Sequence, residues 1–405
     1  MTPTQIHHIL PFLKGLKSDR VFIKSFIFFV LLNTGIYLNI VTFHSIIPHG
    51  DSTAQMHHFL LDYRATHTPF SLLRSLNQTD AQWYIGIATH GYPTPPNNIY
   101  DFTDTSKFSS LAFAFFPVFP LLIALVNLAV HNIELSAFIL NSLFLIAGFV
   151  SLYGLIRTFG YSAIISAKTC LFFFFYPFSF YFRSYFTEPL FLLLLIWFYY
   201  FFTQKKYIFA AVLLSVLTVT RGSIILFLPF FWLLTFQDTE NLMKSLAIVT
   251  VTVLPLGAWS IFNFAQTGDP LYFLHIRDLW IPSDIPFRSS IIFNIAVIAS
   301  FFDFPILFST FNKTDILLIF AYGFLLLKSR EVASKKIWIS NIFLWLSPLI
   351  FASTMSFNRY LSVIFQPYLY IVKKFPDWLL SLTFVLQYII LNIFVLFFIN
   401  GHWIG

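Results

Sequence analysis

A single cysteine, Cys170, stands in an apolar run of this 405-residue chain, which excludes an intrachain disulfide and any cysteine-based metal site. Charge is almost as scarce. Only 10% of residues are Asp, Glu, Lys or Arg, against 58% hydrophobic. A soluble protein of this size cannot hide that much apolar surface, so most of the chain must face lipid or other spans. The net charge of +7 is spread over short loops and forms no patch large enough for nucleic acid. No P-loop, Gly-rich dinucleotide loop or nucleophile elbow occurs, which argues against a nucleotide-driven pump and against a Rossmann unit holding a nucleotide sugar. No internal repeat is visible either, and repeats are usual in transporters.

What the chain does have is apolar length. Runs of spanning size, about 20 residues, cover 21–47, 135–156, 163–182, 189–203, 246–264, 315–327, 337–353, 360–372 and 378–399. Three further stretches are interrupted: 111–130 by Pro117 and Pro120, 207–234 by Arg221-Gly222, and 290–311 by Asp303 and Pro305. The expectation is an all-α, polytopic membrane protein of about 11 to 13 transmembrane helices forming one domain over 1–405. The 56 Phe and 19 Tyr suit lipid-facing and interfacial positions and carry no catalytic meaning by number. Lys14, Lys17, Arg20 and Lys24 precede the first run without a small-residue cleavage site, which argues for an uncleaved first span and a cytoplasmic segment 1–20.

With that sidedness, 207–234 treated as a hairpin peaking at Arg221, and 111–130 and 290–311 treated as re-entrant, the basic residues divide by type. The inside set is twelve Lys and three Arg, whereas the outside set is Arg64, Arg74, Lys107, Arg183, Arg221, Arg277, Arg288, Lys313 and Arg359. Lysines suit a hydrated cytoplasmic collar, and isolated arginines suit fork-like recognition of phosphate oxygens.

The longest water-facing segment, 48–110, falls outside and holds Asp51, Asp62, Asp80, Asp101 and Asp104, five of the 17 acidic residues. Within it 81–89 reads as a short interfacial helix lying along the membrane surface, with Ile85 and Ala88 on its apolar side and Asp80, Tyr84 and His90 along another. Asp80 stands where a helix N-cap is expected; the same position suits a general base at the water–lipid boundary. Glu188 opens a span ahead of Pro189, an ordinary helix start that also suits the mouth of a polar cavity. Arg221 breaks an apolar stretch, so it needs an anion and has free backbone donors beside it. Arg359 and Arg183 sit at the ends of runs, where snorkelling alone accounts for them. The pair His57-His58 lacks a third metal ligand at usual spacing, and sequons occur at Asn77 and Asn312.

Six blocks in order, "DAQWYIGIATHGY" (80–92), "FAFFPVFPLL" (113–122), "YFTEPLFLLL" (185–194), "LTVTRGSIIL" (217–226), "FNFAQTGDPLYFL" (262–274) and "SFNRYLSVIFQPY" (356–368), together with the closing "NGHWIG", resemble the integral-membrane glycosyltransferases of the GT-C superfamily. They are most similar to the family of the second GPI mannosyltransferase (PIG-V) and its prokaryotic relatives. Thr79 stands where that family usually has Trp, and Gly222 where Pro is frequent. The resemblance implies a GT-C-like bundle over 111–405 and a catalytic, extracytoplasmic first loop over 48–110. It also implies a polyprenyl-phosphate-linked sugar donor, such as polyprenyl phosphate mannose, used as co-substrate without metal or other cofactor. The acceptor would be a glycan or glycolipid, in a bacterial plasma membrane or, in a eukaryote, the endoplasmic reticulum. By motif the essential acid is Asp80. Arg221, Arg359 and Arg183 are the candidate donor-phosphate ligands, and Glu188, Trp83, Tyr84, His90 and Tyr92 the candidate substrate-binding residues. The competing reading is a transporter or lipid-glycan flippase.

Overall fold

The computed structural model describes residues 15–48, 70–93, 111–239, 241–277, 313–348 and 357–402, with side chains from 317 in the fifth segment. Among them every regular element is an α- or 3₁₀-helix, and there is no strand. The helices are α1 (Arg20–Phe43), α2 (Leu72–Ser75), α3 (Ala81–His90), α4 (Val118–Val130), α5 (Ile133–Thr158), α6 (Ala163–Phe174), α7 (Glu188–Thr203) and α8 (Tyr207–Thr218). They continue as α9 (Leu228–Asp238), α10 (Leu242–Thr267), α11 (Tyr272–His275), α12 (Lys313–Lys328), α13 (Lys335–Leu346), α14 (Phe357–Leu361), α15 (Gln366–Lys374) and α16 (Asp377–Ile399). The stretch 290–311, the pair His57-His58, the Asn312 sequon, and Arg64, Lys107 and Arg288 lie outside the described residues.

Among the described residues four helices, α1, α5, α10 and α16, are long and apolar enough to cross a membrane. On α1, α10 and α16 the exposed side chains include Leu31, Leu38, Leu254, Ile261, Val385 and Ile389, apolar exposure compatible with an integral membrane protein. Side-chain oxygens start several helices: Asp19 caps α1, Asn132 α5, Ser162 α6, Asn241 α10 and Ser334 α13. Gly268, at φ 77°, closes α10 in the left-handed region.

Other expected spans are shorter or broken, each for a local reason. Run 163–182 stops as an α-helix at Phe174, ahead of Pro177, and continues as a 3₁₀ turn over Pro177–Phe182. Run 360–372 divides into α14 and α15, the latter opening with Pro367 in its first turn. Run 111–130 divides into a 3₁₀ turn over 111–114 and α4, which begins after Pro117 and at 13 residues is about 20 Å long.

The segment around Arg221 is a hairpin, as its interrupted pattern suggests. Helix α8 ends at Thr218, a 3₁₀ turn spans Gly222–Phe227, and α9 returns. The start of α8 meets the end of α9, because the Tyr207 hydroxyl donates to Asp238, which also holds Lys336 Nζ at 3.1 Å and Lys205 Nζ at 3.4 Å. Lysine pairs also join Lys168 to Asp377 (2.7 Å) and Lys374 to Glu331 (2.7 Å), while the Tyr161 hydroxyl donates to the Val332 carbonyl (3.0 Å). Helices α7, α8 and α9 therefore run back and forth between a lysine-rich end and a second end where Glu188 and Arg221 meet. Between the ends the interior is aromatic, with Phe29 stacked on Phe149 at 4.3 Å. Deep in it the Tyr199 hydroxyl donates to Asn341, whose amide donates to Gln366.

Candidate active site

Four charged side chains from four distant parts of the chain meet at the end opposite the lysines. Arg359, in α14, donates from Nη1 to Asp80 Oδ2 and from Nε to Glu188 Oε1. Arg221 Nη1 lies 2.5 Å from the same Glu188 oxygen. The order is thus Asp80, Arg359, Glu188, Arg221. Glu188 is fully buried, the two arginine side chains are 6–7% exposed, and Asp80 is 26% exposed. Asp80 is the member that water or a ligand reaches most easily.

Local structure explains each position. Thr187-Glu188-Pro189 begins α7, with Pro189 in the first turn where it removes no needed N–H. Arg221 is extended (φ −152°, ψ 135°) between the end of α8 and the 3₁₀ turn, so the helix break aims it into the cluster. Its guanidinium lies 4.3 Å from the centre of the Tyr360 ring, and that of Arg359 lies 4.5 Å from the Phe186 ring, so aromatic faces assist the carboxylates in holding buried cations.

Asp80 does not cap α3. Its backbone is already helical (φ −63°, ψ −21°), whereas a capping residue is extended, and its carboxylate makes no bond to the first-turn amides. Thr79 before it sits at φ 53°, a costly conformation for a β-branched residue and one typical of functional sites. The side chain is thereby released toward Arg359. Helix α3 turns no apolar face outward over its first two turns: residues 81 to 87 are all buried within the protein. Trp83 stacks on Phe115 at 5.3 Å, and Tyr84 meets Phe115 and Phe119 edge-on. Burial pushes the Tyr84 hydroxyl up to about 12, with Arg359 opposing and Glu188 and Asp80 adding to the rise, so this phenol stays protonated next to the cluster. Tyr92 donates to the Phe115 carbonyl at 2.7 Å. His90 is exposed at the far end of α3, about 15 Å from Asp80 by helical rise.

Arg183 stands apart from the four. It is buried and donates to the carbonyls of Ser179 (2.8 Å) and Phe174 (3.1 Å), which satisfies the broken end of α6. Asn77 of the first sequon is buried. A residue outside the candidate set, Arg277, does reach the site. It is half-buried, lies 3.7 Å from where a Gly222 Cβ would be, and interacts electrostatically with Tyr360, Tyr84, Arg221 and Asp80. Burial, with Arg221 adding to it, draws its pKa below the usual arginine value. Asp269 steadies this segment, accepting from Leu271 N–H at 2.9 Å and meeting His275 Nδ1 at 2.6 Å. The signal in the sequence was its place among the outer arginines, three residues beyond the block 262–274.

No protein-family model, curated protein or solved structure matches this chain. What the site can do is therefore argued from its own groups: an accessible carboxylate held beside buried guanidiniums.

Proposed function

We propose that the chain is a polytopic, GT-C-like glycosyltransferase that moves a hexose from a polyprenyl phosphate to a glycan or glycolipid acceptor on the extracytoplasmic face of its membrane. In this reading the shorter helices complete the bundle around the four long ones. Asp80 takes the proton from the acceptor hydroxyl as that oxygen attacks the anomeric carbon. The bond from the anomeric carbon to the phosphate oxygen breaks, and its electron pair leaves on the phosphate. The leaving group is a stable anion, so no carboxylic acid has to protonate it, and the attack from the opposite face inverts the anomeric centre. Arg221 and Arg359 stabilise the departing charge, and Glu188 keeps both guanidiniums in place before the donor arrives. Mannose is the hexose the motif resemblance favours.

The observation that carries this reading is the convergence of Asp80, Glu188, Arg221 and Arg359 into one ion-paired network whose accessible member is the carboxylate. Deleting the gene and examining lipid-linked glycans by mass spectrometry tests it. The expected result is a glycan one hexose short, restored by the wild-type gene and not by Asp80→Asn. Accumulation of the full-length lipid-linked glycan would instead identify a flippase and overturn the transferase reading.

A further inference from the structure

The residues adjoining the two site carboxylates carry polar atoms that the fold leaves without hydrogen-bond partners. Asn77 is 1% exposed, and neither its amide nitrogen nor its amide oxygen is bonded among the described residues. The Thr79 hydroxyl, the Gln82 amide oxygen and the Thr187 hydroxyl are also buried and unpartnered, as is the second oxygen of Glu188, Oε2. A buried polar group left unsatisfied costs about 1–3 kcal/mol, and native proteins keep few of them. Others lie elsewhere in the bundle, such as Ser245 and Asn263, but six of these atoms fall along 77–82 and 187–188, two segments that a single guanidinium, that of Arg359, ties together through Asp80 and Glu188. Thr79 adds backbone strain at the same place. Unmet donors and acceptors, a strained residue and a partly exposed carboxylate are the marks of a site whose polar partner arrives from outside.

We infer that these groups form the pocket for the hydroxyl-bearing ring of the donor sugar. This inference rests on the transferase reading and deepens it. Apart from the Glu188 carboxylate oxygen, which can accept from a hydroxyl, the unmet groups are amides and hydroxyls, so they suit the neutral hydroxyls of a hexose, while the phosphate goes to the guanidiniums. Asn77 supplies donors and an acceptor together, and Thr187 a hydroxyl that can serve as either. A pocket built this way gains affinity from each sugar hydroxyl and discriminates strongly against a ligand that lacks them.

The test uses purified full-length protein in detergent and two ligands, a short-chain polyprenyl phosphate mannose and the same polyprenyl phosphate without sugar. Binding is followed by tryptophan fluorescence for wild type, Thr187→Val and Asn77→Leu. Wild type is expected to prefer the sugar-bearing lipid, and each variant to lose about fivefold of that preference, the equivalent of ~1 kcal/mol for one hydrogen bond. Affinity for the bare lipid should not change. Thermal stability should hold or rise in both variants, because an unmet polar group is replaced by an apolar one of similar shape. Preference retained in both variants, or a fall in their stability that marks the groups as ligands of structural water, overturns the sugar pocket alone. A wild type that binds neither lipid overturns the transferase reading itself.

Discussion

Glu188→Gln removes one negative charge from the middle of the network while preserving the shape of the side chain. Glu188 is fully buried and one of its oxygens serves both Arg221 and Arg359. After the substitution, Arg359 keeps Asp80, while buried Arg221 is left with no carboxylate partner among the described residues. Removing one partner from a buried pair costs about 3–5 kcal/mol, a large share of a total stability on the order of 5–15 kcal/mol. Asp80→Asn should behave differently. Its side chain is a quarter exposed, and Arg359 retains Glu188, so the loss should stay near the ~0–1 kcal/mol of an accessible pair. Unfolding of the detergent-solubilised variants, followed by intrinsic tryptophan fluorescence, should separate them by about 2–5 kcal/mol. A short-chain polyprenyl phosphate should recover part of the Glu188→Gln loss, since its phosphate supplies the missing charge. Equal destabilisation by the two substitutions, or a neutral Glu188→Gln, would refute this division into a structural and an operative carboxylate.

Arg221→Lys should weaken use of the phosphate donor by about 10- to 100-fold at similar expression, because a point charge cannot replace a planar fork; donor kinetics measure it directly. Asp19→Ala should cost about 1–2 kcal/mol at neutral pH by uncapping α1. Burial alone would raise the Asp19 carboxyl, but the Tyr153 hydroxyl, the Phe22 and Val21 amides and Arg157 outweigh it and hold the group below its usual range. The folded value thus lies below the unfolded one of about 3.9, so the stabilisation is complete above that pH and fades as pH falls through the folded value; the gap between wild type and variant should close in acid. Cysteines placed at His90 and Lys206, both exposed, should react with an impermeant maleimide from opposite faces of the membrane, with buried Cys170 silent.

The long helices were legible because an apolar run with a polar cap depends on nearby residues, as in α1 with Asp19 and α5 with Asn132. The hairpin at Arg221 was legible for the same reason, since a charged residue and a glycine cannot continue an apolar helix unnoticed. The pairing of Asp80 with Arg359, 279 positions apart, was not. Each residue alone fits an ordinary helix end, and only the tertiary fold turns them toward one another. Asp80 looked like a cap because its position matched one, whereas the backbone angles at Thr79 and Asp80 decide where its carboxylate goes. The amphipathic pattern of α3, with Ile85 and Ala88 on one side and Asp80, Tyr84 and His90 on another, did not reveal that residues 81 to 87 are all buried within the protein, because that burial comes from distant elements. Arg183 and Arg277 could not be told apart by type, because one meets backbone carbonyls and the other reaches the site through contacts that no local pattern encodes.

Transfer by purified protein in liposomes measures the central claim most directly, with radiolabelled polyprenyl phosphate mannose as donor and a membrane lipid extract from the deletion strain as acceptor. Wild-type protein should move the label into a larger glycolipid, and Asp80→Asn, folded and still binding the donor, should lower that rate by about 10²-fold or more. Transfer by Asp80→Asn at the wild-type rate would contradict the account.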